Sequence, residues 1–122
     1  MTTGLVLFAH GARAARWREP FDRLLAQVEQ RHAGPVSLAF LEHMQPDLPS
    51  ACAALARSGA TRIVVVPLFL GTGGHLRDDM PALISTAQRQ VGVPVSSAPA
   101  AGENAGVLGA LADYCLEVVR EG

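Results

Sequence analysis

The stretch Arg62–Leu70, RIVVVPLFL, constrains the fold more than any other part of the chain. After its arginine it is apolar throughout, with none of the polar alternation of a half-solvated strand. As the most hydrophobic stretch of the chain it should be the central strand of a parallel sheet. Pro67 marks where regular pairing of that strand stops.

Similar runs recur along the chain with helical patterns between them. Gly4–Ala9 reads as a first strand and Pro35–Leu41 as a second, with a helix over Pro20–Arg31 between them whose apolar stripe is Phe21, Leu24, Leu25 and Val28. Asp47 is placed to cap a helix running through Ser58, with Pro49 in its first turn and Gly59 ending it. Beyond the central strand come a glycine-rich loop, Gly71–His75, and a helix over Asp79–Gln90 with Pro81 in its first turn. Val93–Ser97 is a short fourth strand and Glu103–Arg120 a final helix. Strands alternating with helices in this way specify βαβ units, hence an α/β fold with a four-stranded parallel sheet. At 122 residues the chain is expected to form a single domain, residues 1–122, with a core large enough to need no disulfide or structural metal.

Composition removes several classes of function. A formal net charge of −1 argues against nucleic acid as a partner, because neutralising phosphates takes a dense basic face. No apolar run reaches the ~20 residues of a membrane-spanning helix. Cys52 and Cys115 lie in helix-like stretches with no CxxC spacing and no secretory leader ahead of them, so both are read as reduced, buried small hydrophobes in a cytoplasmic protein. All 10 basic residues are Arg. A high-GC genome accounts for that, and carboxylate recognition by planar guanidinium forks is the functional alternative.

The segments following the first three strands, Gly11–Glu19, Met44–Pro46 and Gly71–Asp78, should converge, since open parallel sheets bind ligands outside the carboxyl ends of their strands. His10 closes the first strand, Glu42 and His43 close the second, and His75 ends the glycine-rich loop. Two imidazoles and a carboxylate at one sheet edge have the donor types of an open transition-metal site. If the second strand continues, alternation lets only one of Glu42 and His43 face that site. Arg13, Arg16 and Arg18 follow His10 and suit an anionic, carboxylate-rich ligand. Gly71, Gly73 and Gly74 permit positive φ and close approach of a flat ligand to backbone. The loop lacks the Lys-Ser/Thr of a phosphate-binding Walker motif and does not match a dinucleotide fingerprint. His32, just past the first helix, is placed where the helix dipole favours a cation and is given no functional role.

The runs AHGAR at Ala9–Arg13, AFLEHMQPDLP at Ala39–Pro49 and RIVVVPLFLGTGGHLRDDMP at Arg62–Pro81 resemble the small CbiX-type chelatases of the sirohydrochlorin chelatase group, a similarity reaching from Gly4 to about Gly109. The third run is the most specific: Pro-Leu-Phe-Leu, two residues, Gly, one residue, His, three residues, Asp, one residue, Pro. The resemblance implies a chelatase-like, flavodoxin-like three-layer sandwich. It also implies an ATP-independent enzyme that inserts a divalent metal into sirohydrochlorin, with cobalt favoured and Fe2+ or Ni2+ as alternatives, for cobalamin, sirohaem or a related tetrapyrrole. Metal and catalytic roles then fall on His10, Glu42 and His75. Arg13, Arg16, Arg77, Gly73 and Gly74 are expected to bind the substrate. The metal is a substrate, and no permanently bound cofactor is expected. Ala12 stands where the family usually has Ser, which removes a hydroxyl but no ligand or base. Related chelatases of about twice this length have two similar lobes, so this chain is expected to pair with itself as a homodimer enclosing the substrate. The rival readings are a non-catalytic metal or tetrapyrrole carrier on the same scaffold and an unrelated flavodoxin-like module with structural histidines.

Overall fold

A computed structural model describes residues 1–71 and 73–121, with Gly74 and His75 described by their backbone alone. The expected strands form β1 (Thr3–Ala9), β2 (Val36–Phe40), β3 (Arg62–Pro67) and β4 (Val95–Ser97), joined in one sheet of order β2-β1-β3-β4. Every pairing is parallel, with Leu7 opposite both Leu38 and Val66. The helices are α1 (Glu19–Arg31), α2 (Leu48–Arg57), α3 (Gly74–Val91) and α4 (Ala105–Glu121).

Strand alternation sorts the apolar side chains into two cores. Val6, Phe8, Ile63 and Val65 face α2 and α3, where Leu48, Ala51, Cys52, Leu55 and Ala87 complete a fully buried cluster. Leu7, Ala9, Leu38 and Phe40 face the other way, onto Phe21, Leu24, Leu25 and Val28 of α1. The result is the expected three-layer α/β arrangement. The chain's right-handed crossovers dictate it, because β1-α1-β2 and β2-α2-β3 run in opposite directions along the sheet and therefore put their helices on opposite faces.

The end signals of α2 form as read. Asp47 Oδ1 accepts a hydrogen bond from Ser50 N–H at 2.9 Å, and Gly59 takes the positive φ of 100° that ends the helix. Sequence reading did not anticipate Gln88, whose side-chain amide donates to Val93 O at 2.7 Å and whose Oε1 accepts from Val95 N–H at 2.6 Å. That side chain fixes the entry into the short β4.

Three expectations are corrected. Helix α3 begins at Gly74 rather than Asp79, because Gly73 adopts the extended N-cap geometry and Arg77 N–H already donates to Gly73 O at 3.2 Å. His75 therefore lies in a first helical turn, and Pro81 lies inside the helix. Cys52 is fully buried, and burial pushes its thiol up to about 11, but Cys115 is exposed on α4 instead of buried. Third, the segment Gly11–Glu19, expected to be irregular, holds a 3₁₀ turn at Ala15–Arg18, and the final helix begins at Ala105 rather than Glu103, which closes a 3₁₀ turn at Ala101–Glu103. Among the described residues, no helix is long and apolar enough to cross a membrane.

Removing the α2 cap tests this local reading. Asp47→Ala should cost about 1 kcal/mol in denaturant unfolding, the usual loss for such a cap. The Ser50 side chain, then the Ser50 N–H, hold the Asp47 carboxyl below its ordinary pKa. Its stabilisation is thus complete above the unfolded-state value and fades as pH falls through the lower folded value. The gap between wild type and variant should close at acid pH, and a gap independent of pH would contradict the cap assignment.

Candidate active site

The site grows out of a continuation of the β1–β2 pairing beyond both strands. Leu41 N–H donates to Ala9 O at 3.0 Å and Glu42 N–H to His10 O at 3.1 Å, so the two chains leave the sheet edge still hydrogen-bonded to one another. This holds the His10 and Glu42 side chains together, with His10 Nε2 3.0 Å from Glu42 Oε1. Gly11 makes the approach possible. It has φ 90°, and a Cβ there would overlap the Glu42 carbonyl oxygen. Both the backbone region and the space require glycine at that position.

The second strand does not continue through His43. Met44 N–H donates back to Glu42 O at 2.8 Å, and His43 takes a left-handed φ of 65°. The turn breaks the alternation that would have separated Glu42 from His43, and His43 Nε2 comes within 3.7 Å of the same Glu42 Oε1. One carboxylate oxygen is thus bracketed by two imidazoles. Alternation alone leaves the direction of His43 open, since the turn is a local break in the strand that periodicity does not register.

A carboxylate is an acceptor only, so the His10–Glu42 bond requires Nε2–H as donor and leaves the imidazole lone pair on Nδ1. A carboxylate behind an imidazole fixes its orientation and raises its basicity, the usual arrangement around metal-ligating histidines. The pair remains open to solvent, with side-chain exposures of 53% for His10 and 50% for Glu42. Among the described residues, no three His, Cys, Asp or Glu side chains are gathered closely enough to form a complete metal cage. The side chain of His75 lies outside the described residues.

Beside His10 opens a cavity of about 410 Å³, walled by Leu41, Leu76, Ala82 and Leu83, with Asp79 and Thr86 as its polar groups. The volume falls within the range of small-molecule sites, as does an apolar lining with few polar groups. Phe69 meets the His10 ring edge-on, with centroids 6.3 Å apart.

The arginines divide into separate roles. Arg13 and Arg16 are exposed on the segment after His10. Arg18, grouped with them on sequence, is committed internally: it donates to Asp22 Oδ1 and to Gln45 O, both at 3.0 Å, and lies 5.0 Å over the Phe40 ring. It ties the first loop to the second. Arg77 lines a separate cavity of about 140 Å³ with Phe69, Met80 and Glu103, away from the cavity beside His10. Gly73 has an ordinary φ of −64°, and the space where its Cβ would sit is open. No positive φ is required there, and Gly74 is the first residue of α3.

The CbiX family model matches residues 4–118. A curated relative from Methanosarcina acetivorans, a sirohydrochlorin cobaltochelatase, is 31% identical over 91 residues, covering 74% of this chain and 70% of that one. A second, from Methanocaldococcus jannaschii and bearing the same name, is 37% identical over 81 residues, 66% of this chain and 57% of that one. Among solved structures, a CbiX protein from Marinobacter aquaeolei described as a putative cobalamin biosynthesis protein superposes with a TM-score of 0.89 at 31% identity, covering 98% of this chain and 99% of the other. The sirohydrochlorin chelatase SirB from Bacillus subtilis subspecies spizizenii, in complex with cobalt, gives a TM-score of 0.74 at 27% identity, covering 85% of this chain but only 45% of that one. The motif-bearing segments and the whole sheet fall inside the matched span, and the chain belongs to the CbiX family.

Proposed function

We propose that the chain is a sirohydrochlorin chelatase, an ATP-independent enzyme that inserts a divalent metal, cobalt in the first place, into the tetrapyrrole. The observation that carries this reading is the hydrogen-bonded, half-exposed His10–Glu42 pair, whose histidine lines the apolar cavity. Relatives named sirohydrochlorin cobaltochelatase support the reaction, and SirB structures with cobalt and with Fe3+ keep iron as the alternative metal. Affinity order does not select cobalt at a nitrogen and oxygen site, so metal supply decides what is inserted in the cell. The free cysteines suit a cytoplasmic setting.

The chemistry follows from what insertion demands. As the metal enters, two pyrrole N–H protons leave, so the site must present the ion without enclosing it and must accept protons. His10, oriented by Glu42, offers its Nδ1 lone pair first to the metal and then to a departing proton. Glu42 accepts the second proton or holds the ion through its oxygens. His75 supplies a further ligand, and the tetrapyrrole nitrogens take the remaining positions. A cage of four protein ligands would retain the ion, so incomplete coordination is what transfer requires. The leucine-lined cavity receives a face of the macrocycle, Gly73 and Gly74 leave backbone open to a flat ligand, and Arg13 and Arg16 meet peripheral carboxylates. Arg77 assists from the far side of Phe69. One lobe provides one wall, and SirB is more than twice as long as the span it shares with this chain. The working form is therefore a homodimer with substrate between protomers.

Two measurements test these assignments. In a spectrophotometric assay of cobalt insertion into sirohydrochlorin, His10→Ala, Glu42→Gln and His75→Ala should each lower kcat/KM by about 100-fold or more, the scale of a lost acid–base or ligand group. Wild-type rates in both histidine variants would remove the metal-and-base assignment. Separately, Arg13→Glu should raise KM at low ionic strength, with the difference shrinking as salt screens the charge; an unchanged KM at low salt would remove Arg13 from substrate binding.

A further inference from the structure

The cavity that His10 lines extends well beyond the metal-presenting pair. Helix α3 must carry the chain from the end of β3 back to the start of the parallel β4, so it begins at the carboxyl edge of the sheet, where His10 lies, and runs down from it. Leu76, Asp79, Leu83 and Thr86 recur along α3 at three and four residues, so they share one face of the helix, and all four line the cavity. Ten residues of helix rise about 15 Å, which puts Thr86 far from the edge at which α3 begins and about two turns beyond Asp79.

Thr86 is half-buried, and it is backed by a charge. Arg89, one turn further along α3, donates from Nη2 to Thr86 Oγ1 at 3.3 Å. A hydroxyl has one proton to donate, and an Oγ1 that accepts from a guanidinium turns that proton away from it. A threonine within a helix commonly donates to the carbonyl four residues back. Among the described residues the Thr86 O–H makes no such bond, which leaves it to donate into the cavity it lines. Among the same residues no carboxylate stands within ion-pair distance of the exposed Arg89. A donor hydroxyl beside an uncompensated guanidinium suits a carboxylate. Asp79 has the opposite sign. It lies about 10 Å from Thr86, a full Debye length at physiological salt, so it repels carboxylates from the middle of the cavity while leaving the far end positive.

We propose that Thr86 and Arg89 form the far end of the substrate site, a subsite for the carboxylate of one arm of the tetrapyrrole. This rests on the chelatase reading above and specifies which part of the substrate enters the cavity. A tetrapyrrole whose nitrogens face His10 carries its carboxylates on arms that reach about 10 Å from the ring centre, close to two turns of helix. Leu76 and Leu83 pack on the ring edge and on the methylene groups of the arm, and the hydroxyl and guanidinium receive its carboxylate. Arg13 and Arg16 lie on the segment after β1 and meet other arms. Holding one arm in the cavity fixes the rotation of the ring about the metal axis, which contacts with a flat apolar plate alone do not.

Binding of metal-free sirohydrochlorin to the whole protein, followed by its visible absorbance, reads this subsite apart from turnover. At low ionic strength, Thr86→Val and Arg89→Gln should each raise Kd about tenfold, the scale of a lost hydrogen bond to a charged group. The double variant should bind little worse than the weaker single variant, because both groups act on one carboxylate. Thr86→Ser keeps the hydroxyl and should keep most of the affinity. The methyl ester of sirohydrochlorin, whose arms carry no charge, should bind wild type and both single variants equally. Arg89 is exposed on its helix, so its replacement remains informative even if Thr86→Val unfolds. Unchanged Kd in both single variants, with wild type binding and metallating sirohydrochlorin, would overturn the subsite and leave the chelatase reading standing. An equal loss for acid and ester would assign the two residues to packing and would also overturn it. Failure of wild type to bind sirohydrochlorin at all would overturn both.

Discussion

The continued hydrogen bonding of the β1 and β2 chains past the sheet edge is the interaction on which the site depends. Parallel pairing normally ends with the strands, and the side chains beyond it diverge into separate loops. Here the bonds from Leu41 to Ala9 and from Glu42 to His10 carry the register onward, and Gly11 lets the first loop pass beneath the Glu42 carbonyl. Two residues 32 positions apart in sequence are thereby held as a pair at 3.0 Å. Arg18 reinforces the arrangement from the side, tying the helix that follows the first loop to the backbone of the second.

A buried sheet thus supports a solvent-open edge. On the α2 and α3 side, Val6, Phe8, Ile63 and Val65 are almost wholly excluded from water, which fixes the strand ends from which His10 and Glu42 project. The opposite face is thinner and leaves β3 half-covered. Burial is unevenly divided between the two sides: one is covered by α2 and α3, while the other leaves apolar side chains of β3 only partly covered among the described residues.

Much of this was legible in the sequence. Apolar runs marked β1, β2 and β3, although β3 is buried on alternate residues only, and Asp47 with Gly59 marked the limits of α2 because Asp47 satisfies a helix-end N–H and Gly59 takes the positive φ beyond the last turn. His10 and Glu42 were legible from their places at strand ends. The failures have two causes, local turn and cap geometry that the pattern of residues does not register and contacts made only on folding. Pro81 suggested a helix start, but Gly73 supplied the cap and the proline was absorbed inside the helix. Alternation separated Glu42 from His43 until a turn reversed the chain. Arg18 looked like its neighbours Arg13 and Arg16, and only folding brought Gln45 and Phe40 to it. Cys115 was read as buried because free cysteines usually are, but it lies exposed on α4.

The central claim is that metal reaches the tetrapyrrole through the His10–Glu42 edge, and a single-turnover experiment tests it most directly. Protein loaded with one equivalent of cobalt is mixed with sirohydrochlorin in the presence of an excess chelator that sequesters free cobalt. The account predicts a burst of product equal to the protein-bound metal, lost in His10→Ala. Product that forms only when the chelator is omitted, at the same rate with and without the His10 imidazole, would contradict it.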